Sequence, residues 1–76
     1  MDEKLNKFIQ AAALTLETSP ELLKPEANLK EQFDIDSMKR FMLMADIEEV
    51  YGASLNYCSI QNCETFGDII KVTEAL

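Results

Sequence analysis

The sequence predicts an all-α fold, a small bundle of three to four helices with a long loop between the first and second helices and a short third helix. Two periodic runs and one capping signal carry that prediction. Apolar residues recur at helical spacing up to Leu16 and again from Ser37 to Tyr51, and Thr65 with Asp68 three residues on marks the start of a last helix. With 76 residues, 47% of them hydrophobic, the chain has material for a single domain, 1–76, around one small core. Such a domain buries roughly 60% of the surface that the unfolded chain exposes. There are no repeats, low-complexity tracts or interior linkers.

Each element has a local reason. From Asp2 to about Glu17, the residues Leu5, Phe8, Ile9, Ala12, Ala13 and Leu16 form the stripe of a helix burying one side. Ala11-Ala12-Ala13 favours helix and adds little bulk, so a neighbouring helix can approach closely there. Thr18-Ser19-Pro20-Glu21 stops one helix and starts another turn, with Ser19 as N-cap and Pro20 at the first helical position. Only a turn or so can follow before Pro25. Lys24 to Ile35 is then expected to be a long loop, anchored by Leu29, Phe33 and Ile35. The central helix runs from about Ser37 to Tyr51 and ends before Gly52, a residue suited to a left-handed cap. Met38, Phe41, Leu43, Met44, Ile47 and Tyr51 are its expected inward side or margin. Met42 and Ala45 continue around the cylinder, which leaves apolar surface for solvent, a ligand or a partner. After a loop from Ala53 to Tyr57, Cys58 or Ser59 to Cys63 makes a turn or two of helix with Ile60 and Cys63 inward. The last helix turns Phe66, Ile69, Ile70 and Val72 or Thr73 to the core.

Composition narrows the function. Fourteen acidic residues against seven basic ones give a net charge of −7. That argues against nucleic acid as a partner and for partners with basic surfaces. Histidine is absent. A serine nucleophile normally needs an adjacent base, so this chain is not expected to be an enzyme, and any reaction at Ser37 would be activated by another protein. Cys58 and Cys63 are too few for a structural zinc site and not at redox spacing; free thiols are expected, Cys63 the one buried. No metal is expected. No run approaches the ~20 apolar residues of a membrane span, and Met1-Asp2-Glu3-Lys4 is not the basic start of a signal peptide. A cytoplasmic monomer is the expectation.

The stretch that carries chemistry is Phe33-Asp34-Ile35-Asp36-Ser37-Met38. It places a serine hydroxyl at the N-terminus of the central helix, where backbone N–H groups and the helix dipole favour a phosphate. Asp46, Glu48 and Glu49 make the last half of that helix acidic. Carboxylates there oppose the dipole, which favours a binding role over helix stability.

Phe33-Asp34-Ile35-Asp36-Ser37-Met38 resembles the Leu-Gly-x-Asp-Ser-Leu signature of acyl carrier proteins. Glu48-Glu49-Val50-Tyr51-Gly52 and Thr65-Phe66-Gly67-Asp68-Ile69-Ile70 follow in the family's order, and the pattern lies on the family's without a gap from Asp36 to the C-terminus. The resemblance implies 4′-phosphopantetheine, derived from coenzyme A and attached to Ser37 by a phosphopantetheinyl transferase. The arm would carry acyl groups as thioesters for fatty-acid, lipid or polyketide synthesis. Acyl-transfer and synthase enzymes with basic docking surfaces are the implied partners. Their docking surface would comprise Asp36, Met38, Met42, Ala45, Glu48, Glu49, Leu55 and Tyr57; an acyl shelter would lie near Met44, Ile47, Leu55, Ile60, Cys63 and Phe66.

Departures from the family pattern bear on partner choice. Asp34 stands where the signature has glycine, Lys39 and Arg40 place two positive charges after the serine, and Met42 replaces a common glutamate. They suggest a specialised carrier. An aminoacyl carrier, D-alanyl or peptidyl, is an alternative, and an unmodified helical interaction module is another of a different class.

Overall fold

The N-terminal stripe folds as α1, Glu3–Thr15, with Phe8, Ala12 and Ala13 buried. The structure, a computed structural model, describes residues 3–76; Asp2, the expected start of this helix, lies outside them. Helix α1 stops at Glu17, which adopts the left-handed conformation (φ 56°). Thr18 N–H donates to Ala13 O and Glu17 N–H to Leu14 O, the paired closure of a Schellman motif. Ser19 and Pro20 then open a single 3₁₀ turn, Pro20–Leu22, although the Ser19 side chain makes no capping bond.

The expected loop from Lys24 to Ile35 is interrupted by a short helix, α2, Leu29–Phe33. Asn28 supplies its cap, the side-chain oxygen accepting from Lys30 N–H and Glu31 N–H at 3.1 and 2.9 Å. Leu29 and Phe33, four apart, are both buried, as is Ile35. The anchors are as expected; the connection between them is helical.

Helix α3, Ser37–Tyr51, and its left-handed cap at Gly52 (φ 63°) match the expected bounds. A short α4, Cys58–Gln61, and α5, Phe66–Glu74, complete the chain. The capping box at the head of α5 is complete: Thr65 Oγ1 accepts from Asp68 N–H, and the Asp68 carboxylate accepts from Thr65 N–H and Glu64 N–H. Among the described residues there are five α-helices and no strand, an all-α globule. None of these helices is long and apolar enough to cross a membrane.

Helix α1 packs chiefly against α3, and Phe8 lies parallel to Phe66 of α5 with ring centroids 5.8 Å apart. Phe8, Leu29, Leu43, Ile47, Ile60, Phe66 and Ile69 are fully buried at the centre. The segment before α2 is strapped along the start of α5: Phe66 N–H donates to Ala27 O, Gly67 N–H to Pro25 O, and Leu29 N–H to Glu64 O. A Cβ on Gly67 would lie 2.8 Å from Pro25 O, so the strap requires glycine there.

Candidate functional site

The site is the head of α3. Asp36 is its N-cap, extended in backbone, its carboxylate accepting from Lys39 N–H at 2.8 Å and its carbonyl from Arg40 N–H at 3.0 Å. Ser37 is therefore the first helical residue, not the cap. It is exposed, and its hydroxyl has no hydrogen-bond partner among the described residues. The first-turn amides of Ser37 and Met38 are left over in the same way.

An open groove of about 510 Å³ begins at Ser37 and is lined by Met38, Phe41 and Tyr57. Phe41 stacks on Tyr57 at 5.9 Å between centroids, and Tyr57 Oη points at Ser37 O from 3.5 Å. This corrects two sequence expectations. Met38 is 68% and Phe41 55% exposed, whereas both were expected on the inward side or its margin. The reason is helical phase: Leu43, Met44 and Ile47 define the buried side of α3. At 3.6 residues per turn Met38 falls nearly opposite them and Phe41 on the flank.

Asp36, Met38, Met42, Ala45 and Glu49 are all exposed, and the four on the helix lie on its outward face. Of the other three members of the expected docking set, Tyr57 lines the groove beside Ser37 and two are tied inward. Glu48 is half-buried and its carboxylate accepts from Leu55 N–H at 2.7 Å, while Leu55 packs on the rim of the core. Asp46 is engaged too, accepting from Thr15 Oγ1 of α1 at 2.6 Å. Burial holds its carboxyl above the usual carboxylate range, the Thr15 bond opposing and the Glu49 charge assisting. Of the acidic last half of α3, Asp46 and Glu48 thus bind within the molecule and Glu49 faces solvent.

Met44, Ile47, Ile60, Cys63 and Phe66 meet in the core with Leu55 at its edge, so the expected shelter residues are brought together. They are packed: Ile47, Ile60 and Phe66 have no exposed surface. Cys63 is buried, its thiol donating to Ser59 O at 3.4 Å and pushed up from its ordinary pKa chiefly by burial; Cys58 is exposed, and both are free. No cluster of metal-ligating side chains occurs among the described residues.

Arg40 has a role that sequence reasoning missed. Its Nη1 donates to Ile60 O at 3.0 Å and Cys63 O at 2.7 Å, clasping the end of α4 to α3. Lys39 turns to Glu17, 4.0 Å away. The two positive charges after the serine are therefore directed inward and toward α1. A helix-facing arginine has no sequence signal that names its carbonyl partners; only the meeting of α3 and α4 reveals them. Compared with known proteins, the chain matches no family model and no curated sequence.

Proposed function

We propose that this chain is an acyl carrier, modified on Ser37 with 4′-phosphopantetheine. The observation that carries the reading is the division of labour at the head of α3: Asp36 caps the helix, and Ser37 beside it keeps an exposed hydroxyl with no other task. The residues present suit the group. The Ser37 and Met38 amides and the dipole of a fifteen-residue helix favour a phosphodiester on Ser37, and the apolar groove starts at the same residue.

The arm supplies a flexible thiol on which an acyl group is held as a thioester. In the modification, Ser37 Oγ forms a bond to the β-phosphorus of coenzyme A. The pyrophosphate P–O bond breaks, adenosine 3′,5′-bisphosphate leaves, and the serine proton passes to a base of the transferase, this chain having no histidine to take it. The chain itself does no catalysis. The outward face of α3, with Met38, Met42 and Ala45 apolar and Asp36 and Glu49 acidic at its ends, gives basic enzyme surfaces a patch to engage and release quickly.

Intact mass before and after incubation with a broad-specificity phosphopantetheinyl transferase and coenzyme A tests the reading. A gain of one phosphopantetheinyl group, lost in Ser37→Ala, is expected. No gain with several transferases would favour the unmodified interaction module.

A further inference from the structure

The seam between α3 and α4 is closed at several points. Arg40 holds two carbonyls of the α4 end, at Ile60 and Cys63. Glu48 holds the Leu55 amide on the chain leading into α4. Phe41 of α3 stacks on Tyr57, the residue that precedes α4. Behind this line lie Ile47, Ile60 and Phe66, fully buried, with Met44 and Cys63 nearly so. For a long acyl chain to enter the core, α4 must separate from α3. Each fastening opposes that movement, and Arg40 opposes it most, because its charged donor would leave two carbonyls unpaired beside the core. Outside the seam, the open groove of Met38, Phe41 and Tyr57 has Ser37, the attachment residue, in its own lining.

Resting on the carrier reading of Ser37, we propose that the core is latched against cargo. The Met38, Phe41 and Tyr57 shelf receives the branched dimethyl segment of the arm, the apolar part next to its phosphate, and the carrier presents short acyl or aminoacyl groups at its surface. Short or polar cargo has little to gain from burial, so a closed core suits it. A long alkyl chain would be left in water.

The test uses the full chain, labelled at isoleucine and methionine methyls and at phenylalanine and tyrosine rings, and loaded on Ser37 by a transferase from acetyl- and octanoyl-coenzyme A, with intact mass confirming the load. Nuclear Overhauser contacts are then read. Expected are contacts from the arm's dimethyl group to Met38, Phe41 and Tyr57, and none from the octanoyl chain to Ile47 or Ile60. In Arg40→Met, which keeps an apolar stem, octanoyl contacts to Ile60 that are absent in the wild type should appear, as expected for losing a charge-assisted clasp. Phe41→Ala, at a half-exposed position, should weaken the arm–Met38 contacts in the loaded protein. Octanoyl contacts to Ile47 or Ile60 in the wild type, or an arm free of the shelf, would overturn the latch and leave the carrier reading standing. An Arg40→Met protein that stays closed removes Arg40 as the latch. Absence of any mass gain defeats both readings.

Discussion

Asp34 stands at φ 50° as the left-handed cap of α2, its N–H donating to the Lys30 and Leu29 carbonyls. It occupies the place where the resembled signature has glycine, and its φ gives that glycine a reason: an L-residue there carries left-handed strain of roughly 1 kcal/mol. Asp34→Gly should therefore raise unfolding stability by about 0.5–1 kcal/mol, and Asp34→Val lower it, in urea titrations. Equal stability of all three would remove the strain argument. Two other carboxylates set opposite pH dependences. Asp68 is held below its ordinary pKa of 3.8 by the Glu64 and Thr65 amides. Its contribution is present above the unfolded value and lost as pH falls through the lower folded value. Asp46 is raised, chiefly by burial. Its contribution is present below 3.8 and lost as pH rises through the higher folded value. Asp68→Asn should flatten the acid side of a stability–pH profile and Asp46→Asn the stretch just above 3.8, with the Thr15 bond retained through the amide oxygen. If both changes flattened the same limb, one assignment of sign would be wrong.

At the scale of elements, the long helices were legible because period and punctuation agree. Leu43, Met44 and Ile47 repeat at helical spacing, Gly52 ends the run, and Thr65 with Asp68 opens the last helix as its capping residues foretold. Helix α2 was not legible: five residues are less than two turns, and the bonds that tie it to the fold, Leu29 N–H to Glu64 O and Phe66 N–H to Ala27 O, join segments far apart in the chain. The outward turn of Phe41 escaped for a related reason, since α3 carries apolar residues around most of its cylinder and only packing against α1 and α4 selects the buried side. The strap between the Pro25–Leu29 segment and α5 depends on one absent side chain. Gly67→Ala places a methyl against Pro25 O, at 2.8 Å, and should destabilise by about 1–3 kcal/mol. Hydrogen exchange should show the Phe66, Gly67 and Leu29 amides losing protection together, because all three donate across the strap. Loss confined to Gly67 would show that the strap does not open as a unit.

For the whole molecule, the position of Ser37, exposed at a helix head, was legible, but its surroundings were not. The groove of Met38, Phe41 and Tyr57 and the Arg40 clasp arise where α3 meets the chain around α4, and neither partner announces the other in sequence. Charge, by contrast, is a property of the whole chain. The net charge of −7 is spread over a small surface, and the ion pair of Lys39 with Glu17 is 4.0 Å long with Glu17 largely exposed. Such a pair contributes about 0–1 kcal/mol. Repulsion among the carboxylates therefore opposes the folded state at neutral pH. Raising sodium chloride from low salt to about 0.5 M shortens the screening length to below about 5 Å and should stabilise by roughly 1 kcal/mol, or about 4–8 °C in Tm for a domain of this size. Sodium chloride is the salt of choice because sulfate would also strengthen apolar burial. A Tm that stays level or falls would mean that local attractions, Asp46, Glu48 and Asp68 with their hydrogen-bond donors and Lys39 with Glu17, outweigh the net repulsion. On the proposed carrier reading, the same titration should weaken engagement by basic enzyme surfaces, since the charge that strains the fold is the charge that would attract them.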